Sequence, residues 1–191
     1  MPRYKRNFLN LTSSTIRDLV TTQAQNASNN LALLTQLSNQ YTTLPQSYLQ
    51  EFVKTAGDNA ESLVTQYLNL SQIYASDINP KYLKEMVMAD VVNSSTTAAN
   101  LASLSKAYPQ LSVDFLAHLA QTQSSEQAAA IAAATAGVLS QYPKNEHRNI
   151  YTLALNNPNQ IDQSAATYTT QVTKAITSSC RVSHKWGRFV P

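Results

Sequence analysis

The chain has 191 residues, of which 43% are apolar and only 13% charged, and its formal net charge is +3. That length suits one ordinary domain, or a short array of small units sharing a core, and is too small for two large domains. A single cysteine, Cys180, rules out an intrachain disulfide, so packing alone must stabilise the fold.

Charge is unevenly placed. Arg3, Lys5 and Arg6 open the chain and Arg181, Lys185 and Arg188 close it, whereas residues 7–180 hold eight basic and eleven acidic residues. Each end thus carries +3 and the body −3. Tyr4 and Phe8 at the start, and Trp186 and Phe189 at the finish, are interleaved with these cations. Such a mixture suits a polyanion: phosphates attract the cations and release counterions, while flat rings and guanidinium planes pack on sugar and base surfaces. Solubilising tails would carry the same charge. Aromatic groups at both ends, and the lack of acids there, favour binding.

Taken in chain order, residues 1–12 form a basic N-terminal arm. Thr12, Ser13, Ser14, Arg17 and Asp18 then interrupt the apolar run that a secretory signal or spanning helix needs, so no membrane-crossing segment is expected. Residues 13–178 are read as an all-α domain of about five helical hairpins, on the strength of an internal repeat. The phrase Leu37-Ser38-Asn39-Gln40-Tyr41 recurs as Leu70-Ser71-Gln72-Ile73-Tyr74 and Leu104-Ser105-Lys106-Ala107-Tyr108, with a shortened copy Leu139-Ser140-Gln141-Tyr142. Its tyrosines stand 33, 34 and 34 residues apart.

A connector with Pro45, Pro80, Pro109 or Pro143 follows each tyrosine, and proline breaks a helix by removing a donor and restraining the residue before it. Next comes a short amphipathic segment: Tyr48-Leu49-Gln50-Glu51-Phe52-Val53, Tyr82-Leu83-Lys84-Glu85-Met86-Val87 and Phe115-Leu116-Ala117-His118-Leu119-Ala120. Looser relatives are Ile16-Arg17-Asp18-Leu19-Val20 and Ile150-Tyr151-Thr152-Leu153-Ala154-Leu155. Longer helices follow, their buried faces marked by Ala60, Leu63, Val64, Tyr67, Leu68 and Tyr74, by Ala98, Leu101, Ala102, Ser105 and Tyr108, and by Ala128, Ile131, Ala132, Thr135, Val138 and Tyr142. Ser124 and Gln127 predict a capping box for the last of these. The tyrosine rings are expected to fill the seams between hairpins. The period matches that of tetratricopeptide repeats, but the Trp, Gly and Ala positions marking that family are not recognisable, so membership does not follow. With three glycines and no sustained alternation, no sheet is expected. Residues 179–191 form the basic C-terminal arm.

Catalytic motifs are lacking: there is no Gly-rich phosphate loop, paired-cysteine motif or nucleophile elbow. His118 lies four residues after Asp114 and is expected to be a partly exposed helix residue, while Glu146 and His147 read as ordinary loop polars. Cys180 and His184 supply two metal ligands where a closed zinc site usually needs four. No cofactor, metal or acid–base pair can be nominated, and the expectation is a protein that is not an enzyme.

A nearly neutral helical chain of this size, rich in Ser, Thr, Asn, Gln and Tyr and opening Met1-Pro2-Arg3-Tyr4-Lys5-Arg6-Asn7, resembles the major coat proteins of filamentous viruses of hyperthermophilic archaea, the lipothrixvirus and rudivirus group. The resemblance implies a virion protein assembled in the host cytoplasm, whose helical subunits wrap linear double-stranded DNA and hold it in A-form. It also implies pairing with copies of itself or with a paralogous second coat protein and, in lipothrixviruses, a surrounding lipid envelope. The residues expected to contact nucleic acid are Arg3, Tyr4, Lys5, Arg6, Arg181, Lys185, Trp186 and Arg188, with helix-borne Arg17 and Lys174 as secondary candidates. Coating a genome needs backbone contacts indifferent to sequence, and weak contacts accumulate over many copies. Two rival readings are a monomeric helical-repeat adaptor holding a protein or peptide partner, and a peripheral protein whose basic, aromatic ends meet anionic lipid.

Overall fold

A computed structural model describes residues 11–22, 25–161, 163–171 and 173–174. The fold is all-α. Among the described residues the α-helices are α1 (Ser13–Thr22), α2 (Ala27–Gln40), α3 (Gln46–Ala56), α4 (Ala60–Tyr74), α5 (Pro80–Ala89), α6 (Ser94–Ala107), α7 (Val113–Thr122), α8 (Ser125–Leu139) and α9 (His147–Asn156), followed by a helical stretch within 161–174. No strand occurs among them, and no helix there is long and apolar enough to cross a membrane.

Short helices of 10 or 11 residues alternate with longer ones of 14 or 15 from α1 to α8, and local chemistry sets the breaks. Pro45 is the N-cap of α3, where its missing N–H leaves nothing unsatisfied. Pro80 opens α5 behind Asn79, whose side chain accepts the Lys81 N–H at 2.9 Å. Before α6, Asp90 accepts the backbone N–H groups of Val92 and Asn93 and the Asn93 side chain, closing the turn. These bonds to the carboxylate, the Asn93 side chain first, hold the Asp90 carboxyl below its ordinary range. Ser124 caps α8 by accepting the Gln127 N–H, and its hydroxyl donates to Gln127 Oε1, which is one half of a capping box. Between α3 and α4 the turn needs a glycine, because Gly57 sits at φ 53° and ψ −123°.

The recurring tyrosines mark the ends of long helices through their backbone. Tyr41 is the C-cap of α2, Tyr74 the last residue of α4, and Tyr108 follows α6. In each case the tyrosine carbonyl takes an N–H from the next turn: Leu44 at 3.1 Å, Asp77 and Ile78 at 2.9 and 2.7 Å, and Leu111 at 3.1 Å. At Tyr142 the corresponding contact is the His147 ring, with Nε2 3.1 Å from the carbonyl. The rings themselves are half-buried and do not fill the seams as core residues would. The hydroxyls of Tyr41, Tyr108 and Tyr142 keep polar partners, which holds those rings at the surface. Tyr108 donates to the Ala129 carbonyl of α8 at 3.4 Å, and Tyr142 accepts from Thr169 at 2.8 Å.

The chain divides into two compact units, Met1–Ala102 and Ser103–Pro191, with the division inside α6. In the first, α2 packs on α1 and α3, α4 on α3 and α5, and α3 also meets α5. Leu19, Leu34, Leu37, Phe52, Val64, Leu83 and Met86 are buried at its centre, with Tyr67 against Tyr48 and Phe52. Burying such a side chain contributes about 1.5–3 kcal/mol. In the second unit α8 packs on α7 and α9. Phe115 stacks on Tyr151 with centroids 4.8 Å apart, and the Tyr151 hydroxyl accepts the Ser112 N–H at 2.9 Å. Of the faces read from the sequence, Ala60, Leu63, Val64, Tyr67, Ala98, Leu101, Ala102, Ala128, Ile131, Ala132, Thr135 and Val138 are buried, whereas Leu68 is half-buried and Leu70 takes the core position.

Candidate functional site

Of the ten residues expected to contact nucleic acid, Arg3, Tyr4, Lys5, Arg6, Arg181, Lys185, Trp186 and Arg188 lie outside the described residues, as do Cys180 and His184. Arg17 and Lys174 are described; they belong to different compact units and both are exposed.

Arg17 projects from α1 beside Asp18, and Asp18 is already engaged. Gln50 Nε2 on α3 donates to Asp18 Oδ2 at 2.7 Å, and Lys54 forms an ion pair with the same oxygen. One helix pair later the pattern recurs: Lys84 on α5 pairs with Glu51 on α3 and lies 4.5 Å from the centroid of the Tyr48 ring. The Lys84 side chain is only 13% exposed whereas that of Glu51 is 43% exposed, so the ammonium is largely covered while the carboxylate stays partly solvated. Short helices of the first unit are therefore linked by cations and an amide reaching back to a carboxylate of the short helix before.

Lys174 lies with Tyr142, Ala166, Thr169, Thr170 and Thr173 along a groove of about 490 Å³ in the second unit. The hydroxyls along it are already engaged within the chain: Thr169 bonds the Ala165 carbonyl and the Tyr142 oxygen, and Thr170 donates to the Ala166 carbonyl. The groove of about 680 Å³ in the first unit is lined by Glu61, Ser62, Thr65, Gln66, Val91, Val92 and Ser95, whose one formal charge is negative. Phosphate is disfavoured there.

Sequence reading missed a polar cluster around Glu146. This residue does not behave as an ordinary loop polar: its Oε2 accepts from the Tyr168 hydroxyl at 2.6 Å and from the Asn149 side chain at 2.9 Å, and Asn149 also donates to the Tyr168 oxygen at 2.6 Å. The Tyr168 bond, then the Asn149 bond, holds the Glu146 carboxyl below its ordinary range, and the same carboxylate pushes the Tyr168 phenol up. His147 next to it needs a proton on Nε2 to meet the Tyr142 carbonyl. Together these contacts tie the start of α9 to the helical stretch carrying Lys174, alongside the buried Ile161 and Ala165. The partners lie 19 and 22 residues apart in a stretch without a repeat phrase, so no local pattern could have paired them.

His118 and Asp114 are both exposed on α7. Among the described residues no group of three or more His, Cys, Asp and Glu side chains could hold a metal ion. Comparison with protein-family models, curated proteins and solved structures found no match to this chain.

Proposed function

We propose that this chain is a structural nucleoprotein subunit: a helical coat protein that polymerises along double-stranded DNA and binds it without sequence preference. The observation that carries the reading is the charge layout, a body of −3 between two acid-free ends of +3, each bearing aromatic groups. Cations at the ends neutralise phosphates while the weakly charged trunk lets copies pack side by side. Arg3, Tyr4, Lys5, Arg6, Arg181, Lys185, Trp186 and Arg188 supply the principal contacts, with the exposed Lys174 as a secondary one. The resemblance to coat proteins of filamentous archaeal viruses supports a place in a virion, with the DNA held in A-form, a paralogous coat protein as a further partner, and an envelope outside. The reading has no enzymatic step and needs no cofactor.

Negative-stain electron microscopy of purified protein mixed with linear duplex DNA tests this directly. Regular filaments whose length follows that of the DNA are expected. Bare DNA beside dispersed protein would refute it.

The alternation of short and long helices favours a second reading, a monomeric adaptor that grips a peptide or protein on a helical-repeat surface. A protein that stays monomeric and has no affinity for DNA would select that reading.

A further inference from the structure

The ladder linking the short helices of the first unit is incomplete at both ends. Asp18-Leu19-Val20 on α1, Glu51-Phe52-Val53 on α3 and Glu85-Met86-Val87 on α5 align at spacings of 33 and 34 residues. In this register Arg17, Gln50 and Lys84 are equivalent, each one residue before an acid. Gln50 donates to Asp18 and Lys84 to Glu51, so the donor position of one short helix takes the carboxylate of the short helix before it. Arg17 is the donor position of the first short helix and has no carboxylate partner among the described residues. Beside it Val20 is 45% exposed, whereas its counterparts Val53 and Val87 are 0% and 1% exposed. The face of α1 that would meet a preceding short helix is thus a guanidinium next to an uncovered aliphatic side chain.

At the other end of the ladder, Glu85 is the acid position of α5. It is exposed, and its ion pair is a surface contact to Lys81 on its own helix at 3.8 Å. The donor position of the next short helix in the chain, α7, is Ala117, which has no side-chain donor.

We infer that the α1 face of this chain docks a second copy of the same chain, with Arg17 of one copy taking the Glu85 carboxylate of the next. The occupant follows from charge and register. The ladder leaves a donor and an acceptor of opposite sign at equivalent rungs, and residues 11–102 hold seven acids against four bases, so the unit carries carboxylates in excess. Arginine fits a carboxylate through two parallel N–H donors, which fixes orientation as well as adding attraction. Because donor and acceptor lie on different surfaces, the contact is head-to-tail and repeats from copy to copy instead of closing as a two-fold dimer. It requires no nucleic acid, so it stands or falls separately from DNA binding.

Sedimentation velocity of the full-length protein without nucleic acid, across a concentration series and at low and high salt, tests the contact. Wild type is expected to self-associate, more weakly as salt rises. Arg17→Glu and Glu85→Arg should each weaken association about tenfold or more, since like charges are then opposed, and the double reversal should restore it towards wild type. Both side chains are exposed, and unchanged helicity by circular dichroism confirms that the variants fold. A milder Arg17→Gln variant should fall between wild type and Arg17→Glu. A protein monomeric at every concentration, single reversals without effect, or a double reversal that fails to restore association would each overturn the inference. So would association that emerges only once residues 1–10 are removed, because the chain's own N-terminal segment would then be the occupant.

Discussion

Replacing Ser38 and Ser71 with alanine should stabilise the protein. Both are the serine of the recurring tyrosine phrase, one in α2 and one in α4, and both hydroxyl oxygens are buried without a hydrogen-bond partner. A buried polar group left unpaired costs roughly 1–3 kcal/mol. Serine is in addition about 0.5 kcal/mol poorer than alanine inside a helix. Alanine removes both costs and leaves a void the size of one oxygen, which returns part of the gain through lost dispersion contacts. The expected net stabilisation is about 0.5–2 kcal/mol per site, and the double variant should approach the sum because the two serines lie on different helices. For a chain of this size that is a rise in melting midpoint of roughly 1–8 °C per site, by far-UV circular dichroism. A fall in midpoint for either variant would refute the reasoning, since it would mean that the hydroxyl holds an ordered water the packing depends on.

Two glycines should respond with opposite sign. Gly57→Ala forces a side chain onto a positive φ and should cost about 1–3 kcal/mol, whereas Gly137→Ala, exposed in α8 with open space around an added Cβ, should gain about 0.5 kcal/mol; urea titration of both variants checks the pair. Lys84→Ala should lose about 1–3 kcal/mol, because the Glu51 pair and the Tyr48 ring contact are partly desolvated, and an unchanged urea midpoint would reduce that contact to a solvated surface pair. The Glu146 cluster sets a pH window. Glu146 is held below its ordinary pKa, so its contribution is present above about pH 4.5 and is lost as pH falls through the lowered value. Tyr168 is raised above its ordinary pKa, so its contribution is present below about pH 10 and is lost as pH rises through the raised value. Hydrogen exchange along 161–174 should quicken at both extremes, and Tyr168→Phe should remove the alkaline dependence and weaken the acid one, which the Asn149 bond to Glu146 partly retains.

The helix pairs were legible because three kinds of signal agree at each break. At or after the end of each long helix from α2 to α8 comes the tyrosine of the phrase, then a proline in the connector or at the start of the next helix, and then aliphatic residues spaced three and four apart. Buried positions followed from the same spacing. What the tyrosines do was less legible: periodicity shows that Tyr41, Tyr74 and Tyr108 recur, but not that their carbonyls close the turns while their rings stay half-solvated. The Lys84–Glu51 and Lys54–Asp18 contacts join residues 33 and 36 positions apart, and charge alone could not choose among the possible pairings before the short helices were set side by side. Glu146 was missed for the same reason, since its partner Tyr168 belongs to the last helical stretch, where the phrase no longer recurs. Most of the residues proposed to grip nucleic acid were nominated from charge and aromatic content at the chain's two ends, a compositional signal that needs no fold to be read.

The salt dependence of duplex DNA binding tests that proposal most directly. If the six terminal cations Arg3, Lys5, Arg6, Arg181, Lys185 and Arg188 each neutralise a phosphate, the logarithm of the binding constant should fall against the logarithm of salt concentration with a slope of about −5. Replacing all six by glutamine in the full-length protein should bring the slope towards zero and weaken binding at low salt by a factor of about 100 or more. An unchanged slope and affinity in the substituted protein would contradict the account, because the anionic polymer would then be held by the trunk and not by its ends.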